Sequence, residues 1–120
     1  MASVLGNVNL FVRDVARAQR FYSEALGLEV DMERSQPPSF ALLRAGGCTL
    51  TLQDAATPGA LLGASDSVEL GFAVDDVEAI RERMRRWGLS VGETQQMDWG
   101  GGFDARDEDG HRLMIYRMRL

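Results

Sequence analysis

The chain repeats itself, and no other feature constrains its fold as tightly. NVNLFVRDVARAQRFYSEALGLEV, residues 7–30, recurs as ELGFAVDDVEAIRERMRRWGLSV, residues 69–91, pairing Val12 with Val74, Asp14 with Asp76, Gly27 with Gly88 and Leu28 with Leu89. SFALLRAGGCTLTLQ, residues 39–53, then matches GFDARDEDGHRLMIY, residues 102–116, pairing Phe40 with Phe103, Gly47 with Gly110 and Leu50 with Leu113. The offset stays near 62, and the missing residue of the second copy is placed in its helix. Two copies of one supersecondary unit fill 120 residues, enough for a single domain with a core and too few for two ordinary ones.

Each copy reads as a strand, a helix and three strands. Val8, Leu10 and Val12 alternate with Asn7, Asn9 and Phe11, the period of two of a strand with one face on a core. Asp14 is placed to accept a free N–H at a helix start, and Val15, Ala18, Tyr22 and Leu26 form one stripe before Gly27 ends the run. In the second copy Asp76 is the cap, Val77, Ile80, Met84 and Trp87 are the stripe, and Gly88 is the stop. RAGG at 44–47 and DEDG at 107–110 are hairpin turns, with Gly47 and Gly110 expected at positive φ. The expected organisation is one domain, 1–120, of modules at about 1–54 and 68–120, joined by a connector, 55–67, rich in Ala, Gly and Ser, whose Leu61 and Leu62 could pack.

Composition removes several functions. No apolar run approaches the roughly 18 residues of a membrane span, and the start MASVLGNVNL has no basic stretch leading into an apolar one, so a cytoplasmic protein without membrane contact is expected. A net charge of −5 opposes nucleic-acid binding, which needs a basic face. All 13 basic residues are arginine, which excludes a catalytic lysine. The lone Cys48 has no disulfide partner and reads as a packed residue.

Two sheets, each covered on one side by a helix, leave two further faces to pack together or enclose something. The helix-facing positions are apolar: Leu10, Val12, Leu50, Leu52, Leu70, Phe72, Val74, Leu113 and Ile115. The opposite positions mix polar and aromatic groups: Asn7, Asn9, Phe11, Thr49, Thr51, Gln53, Glu69, Gly71, Met114 and Tyr116, with Phe40 and Leu42 across the first hairpin. A solvated sheet surface is the ordinary fate of such a face, but it would leave Phe11, Phe40, Met114 and Tyr116 in open water. A partly apolar cleft with a few polar groups suits a small-molecule site better.

With LFVRDVARAQRFYSEALGL and RDEDGHRLMIY at matching places in its two halves, nearly the whole chain resembles the vicinal oxygen chelate superfamily of glyoxalase I, ring-cleaving dioxygenases and bleomycin-resistance proteins. The resemblance implies an α+β fold of two tandem βαβββ modules forming a cup-shaped mixed sheet, helices outside, around a ligand cavity. It also implies a homodimer. In the family's enzymes the cup holds a divalent metal on His and Glu at positions that fall here on Asn7, Thr51, Glu69 and Met114. Of these only Glu69 is a good donor for such an ion, and His111, after a turn, is expected exposed and structural, so no metal and no other cofactor is expected.

Metal-free relatives that resemble bleomycin-resistance protein neutralise an antibiotic by holding it. Here Trp99, beside Gly100–Gly102 read as a flexible mouth loop, either stacks on a planar ligand or plugs the cup. Trp87 reads as core. The expected function is capture of an aromatic or cationic small molecule, such as an antibiotic, by Asn7, Asn9, Phe11, Phe40, Thr49, Thr51, Gln53, Glu69, Trp99, Met114 and Tyr116. The alternative is a glyoxalase-like lyase, isomerase or dioxygenase with an atypical metal site around Glu69, its one candidate catalytic group; an assembly module is a third. In the register of the repeat, Asp104 lands on the helix side, an unexplained position for a carboxylate unless a bulge turns it over.

Overall fold

The computed structural model describes residues 2–63 and 65–119. The chain divides into two compact units, Met1–Leu62 and Gly63–Leu120. The first contains β1 (Asn7–Val12), α1 (Val15–Glu24), β2 (Glu29–Val30), β3 (Phe40–Ala45) and β4 (Cys48–Asp54). The second repeats that order as β5 (Glu69–Ala73), α2 (Val77–Arg86), β6 (Gln95–Met97), β7 (Gly100–Arg106) and β8 (Arg112–Met118). Each unit folds as a four-stranded mixed sheet, in the orders β1-β4-β3-β2 and β5-β8-β7-β6. The first strand runs parallel to the last, and the remaining pairs are antiparallel. The α+β class and the tandem βαβββ modules are as the repeat implies.

In the first unit the helix starts where a short carboxylate can cap it: Asp14 Oδ1 accepts from the Arg17 N–H at 3.0 Å. Val15, Phe21, Tyr22 and Ala25 are buried against β3 and β4, whose Ala41, Leu43, Leu50 and Leu52 are buried in turn. Phe21 and Tyr22 meet edge to face, ring centres 4.9 Å apart, so adjacent residues both serve the core and the stripe is wider than the predicted one. Full burial of side chains such as Leu43 and Leu52 contributes about 1.5–3 kcal/mol each. The β3–β4 loop is the two residues Gly46 and Gly47, between paired Ala45 and Cys48. Gly46, not Gly47 as expected, has positive φ, at 74°, as a II′-type hairpin requires of its first loop residue.

In the second unit Asp76 Oδ1 caps α2 through the Ala79 N–H at 3.0 Å, and Ile80 and Met84 are buried with Phe103, Ala105, Leu113 and Ile115. Trp87, expected in the core, is the half-buried residue that closes α2. Both helices have 10 residues. The residue missing from the second copy is therefore lost from the exit turn, where Ala25 and Leu26 precede Gly27 but Trp87 alone precedes Gly88. Asp107 organises the β7–β8 turn: its Oδ1 accepts from the N–H groups of Asp109 at 3.0 Å and His111 at 2.9 Å. Asp107 Oδ2 lies 2.8 Å from His111 Nδ1, leaving the imidazole only 16% exposed, in contrast to the exposed position expected of it. Leu61 and Leu62 in the connector are 82% and 52% exposed and do not pack.

Candidate functional site

On the first unit, the face of the sheet turned away from α1 carries three rows set by strand register. Asn7, Thr49 and Arg44 form one, Asn9, Thr51 and Leu42 the next, and Phe11, Gln53 and Phe40 the third. Because β1 and β4 are parallel and adjacent, their short polar side chains interlock. Thr49 Oγ1 donates to Asn7 Oδ1 at 2.7 Å, Asn7 Nδ2 donates to Thr51 Oγ1 at 3.2 Å, Thr51 Oγ1 donates to Asn9 Oδ1 at 2.7 Å, and Asn9 Nδ2 donates to Gln53 Oε1 at 3.2 Å. The ladder reaches from buried Thr51 to exposed Asn7 and Asn9. Arg44, at one end of the face, is ion-paired with Glu29 and Asp31. All seven predicted residues of this unit thus share one face, and Leu42 and Arg44 join them.

The second unit sets different chemistry at equivalent places. Glu69 lies opposite Arg112, Gly71 opposite Met114 and Ala73 opposite Tyr116. Arg112 donates to Glu69 Oε2 at 3.2 Å and to the Asp66 carbonyl at 2.9 Å. Arg106 donates to Asp66 Oδ1 at 2.8 Å, a hydrogen bond that, with the guanidinium's charge, holds that carboxyl below the usual carboxylate range. Trp99 and Tyr116 meet edge to face with centres 5.9 Å apart, and Trp99 remains 43% exposed. Trp99 therefore does not plug the unit's interior. Glu69, Met114 and Tyr116 share the face, with Trp99 against Tyr116.

Two expectations for this face are corrected. Gly100–Gly102 are not a mouth loop but the start of β7, and they are buried. A Cβ on Gly102 would sit 2.2 Å from the Ile115 carbonyl oxygen, and one on Gly100 2.1 Å from that of Arg117, so only glycine lets β7 approach β8 here. Asp104 pairs with Met114 and is exposed, on the face of Glu69 and Tyr116 rather than the helix side. No bulge is involved. Arg44 lies opposite Thr49 and Arg106 opposite Arg112, so the equivalents are Leu42 with Asp104 and Ala41 with buried Phe103; pairing Phe40 with Phe103 is one residue out of register. A slip of one turns every side chain over.

The positions that hold metal in the resembling enzymes do not fit one in this chain. Asn7 and Thr51 are committed to the ladder, Glu69 is paired with Arg112, and a Met114 thioether suits only soft ions. Among the described residues no three His, Cys, Asp or Glu side chains gather as a metal group. A cleft of about 530 Å³ in the second unit lies elsewhere, at the start of α2 between Glu78, Thr94, Gln96 and Arg117. Its polar groups already serve one another: Thr94 donates to Glu78 at 2.5 Å and Arg117 to the Asp75 carbonyl at 3.2 Å. The two sheet faces carry hydrogen-bonding side chains, aromatic rings and the carboxylates of Glu69 and Asp104.

Comparison with known proteins agrees with the fold. The family model of the Glyoxalase/Bleomycin resistance protein/Dioxygenase superfamily matches residues 4–115. A Bacillus subtilis (strain 168) protein, "Uncharacterized protein YetH", is 25% identical over 118 residues, covering 96% of this chain and 98% of its own. Among solved structures, a possible glyoxalase from Bacillus cereus superposes with a TM-score of 0.75 at 22% identity, covering 96% of this chain and 99% of its own. The oxidase ChaP-H2 superposes with a TM-score of 0.76 at 26% identity, covering 100% and 97%.

Proposed function

This chain belongs to the Glyoxalase/Bleomycin resistance protein/Dioxygenase superfamily, and from that membership we propose that it captures a small aromatic molecule without a metal and without converting it. The observation that carries the reading is the state of the inherited ligand positions. Asn7 and Thr51 are tied into a side-chain ladder, and the one carboxylate, Glu69, is neutralised by Arg112. A carboxylate so paired lacks the free charge to hold a cation, and the guanidinium beside it is committed to that pairing and to the Asp66 carbonyl rather than left for a developing enolate. That pairing removes Glu69 as the partner of a cation but leaves Asp104 exposed on the same face, so the aromatic reading rests on ring surface rather than on charge. Trp99, 43% exposed and set against Tyr116, supplies the ring surface.

Antibiotic capture, a cytoplasmic setting and a homodimer are part of this proposal by analogy with the superfamily. Its test is a fluorescence titration with planar aromatic compounds. Saturable quenching of Trp99 emission, abolished in Trp99→Phe but kept in Trp87→Phe, is the expected result, with the compound recovered unchanged. In the competing reading, a lyase, isomerase or dioxygenase acts through Glu69. Turnover by the purified protein that disappears in Glu69→Gln would establish it and overturn capture.

A further inference from the structure

The ladder on the first unit has a direction, and the direction specifies a ligand. Thr49 Oγ1 lies 3.2 Å from the Gly6 carbonyl as well as 2.7 Å from Asn7 Oδ1, and Thr51 Oγ1 lies 3.4 Å from the Val8 carbonyl as well as 2.7 Å from Asn9 Oδ1. Each hydroxyl has one proton, and the 2.7 Å contacts have the length of O–H···O bonds while the carbonyl contacts are longer, so each proton goes to the asparagine oxygen. Each asparagine therefore turns its oxygen to a threonine and its nitrogen onward, and the two onward contacts, both 3.2 Å, have the length of N–H···O bonds. Every amide oxygen in the ladder has already accepted a bond. What remains is one N–H on Asn7, one on Asn9 and both on Gln53, none with a partner among the described residues. Gln53 stands between Phe11 and Phe40 in one row of the face, so its spare donors are flanked by rings. A carbonyl that has accepted one bond is largely satisfied, whereas an N–H covered by a ring system without an acceptor is not.

We infer that this face takes a planar aromatic compound bearing an oxygen acceptor, a ketone or a carboxylate. Gln53 and Asn9, whose carboxamides are hydrogen-bonded to each other, donate to that oxygen, the rings of Phe11 and Phe40 flank its plane, and Thr49, Thr51 and Asn7, which is linked to Asn9 through Thr51, are positioning residues that hold the carboxamides. The inference rests on the capture reading and adds to it the ligand's polar group and the side chains that select it.

The test uses the full chain, labelled with ¹⁵N, and four naphthalenes that differ in one substituent: 1-acetylnaphthalene, 1-naphthoate, 1-ethylnaphthalene and 1-naphthylmethylammonium. Affinity is read by calorimetry and contact by the side-chain NH₂ signals of Asn9 and Gln53 and the indole signal of Trp99. The ketone or the carboxylate is expected to bind about tenfold more tightly than the ethyl and ammonium compounds, the worth of one or two hydrogen bonds, and to move both NH₂ signals. The ketone and carboxylate arms tell a neutral acceptor from an anionic one. Gln53→Glu, which replaces donors by acceptors at the rim, should remove that preference. Thr51→Val should remove it too while leaving the affinity for 1-ethylnaphthalene intact, a split that general loss of packing would not give. Binding that moves the Trp99 signal and leaves both NH₂ signals unmoved, or equal affinity for all four compounds, overturns this inference alone. No binding by any of the four, with the Trp99 signal unmoved, would overturn the capture reading and this one with it.

Discussion

His111 is the chain's only histidine, and its imidazole lies 2.8 Å from the Asp107 carboxylate in the β7–β8 turn. The hydrogen bond to Asp107 raises its pKa above the ordinary 6.5, and burial opposes this less strongly. A histidine whose folded pKa is raised binds its proton more tightly when folded, so its stabilising contribution is full below the unfolded value of 6.5. It is lost as pH rises through the higher folded value. Urea unfolding of the protein and of His111→Gln should therefore differ most at pH 5.5 to 6, with the gap closing towards pH 9. A gap that widens with pH would mean that the pair does not act as an ion pair. The turn was legible in DEDG, but the placement of His111 was not. A histidine after a turn looks exposed until the carboxylate four residues back is seen to accept its backbone N–H and hold its ring at once. For the polar face the period of two was enough: Asn7, Asn9, Thr49, Thr51 and Gln53 lie on one side. The hydrogen bonds among them depend on β1 lying parallel and adjacent to β4, across more than 40 residues of chain, which no local pattern encodes.

At the scale of the element, the start of β7 is set by what cannot be added to it. Gly102→Ala puts a methyl group 2.2 Å from the Ile115 carbonyl oxygen and 3.0 Å from the Met114 methyl, with backbone on the nearer side unable to give way without breaking the β7–β8 ladder. A loss of about 3 kcal/mol is expected from chemical denaturation, the upper end of overpacking in a closed site. Gly47→Ala is the control, since its position has no positive φ and nothing within 4 Å, and it should stay within about 0.5 kcal/mol of the parent. Equal effects would show that β7 can slide away from β8. Element types were readable from periodicity, caps and stops, because Asp14, Gly27, Asp76 and Gly88 act through bonds within a few residues. Register was not. From Arg106 to its partner Arg112 the chain takes one residue more than from Arg44 to its partner Thr49, so an offset that fits Leu50 with Leu113 is wrong by one for Asp104. That single slip hid a carboxylate on the candidate face.

For the whole molecule the sharpest consequence is indifference to divalent metal. If any site in the folded chain held zinc, nickel or manganese with a Kd of 1 μM, then 100 μM of that ion would stabilise the native state by about 2.7 kcal/mol through mass action. For a domain of 120 residues this is about 10 °C in Tm, well beyond the error of a melting experiment. The net charge of −5 gives any dication a weak general attraction, but that is screened at 0.15 M salt, so measurements belong at that ionic strength. Melting curves with EDTA, and with each ion at 100 μM, should agree within about 1 °C, and ligand affinity should be the same in both. A rise approaching 10 °C with one of the ions that is lost in Glu69→Gln would mean that Glu69 leaves Arg112 to serve a metal, because no other carboxylate occupies an inherited ligand position. The capture reading would then give way to a metalloenzyme. The forecast draws on both levels of description, since the identities Asn7, Thr51 and Met114 stand in the sequence, whereas the engagement of Glu69 by Arg112 appears only once β5 and β8 are paired.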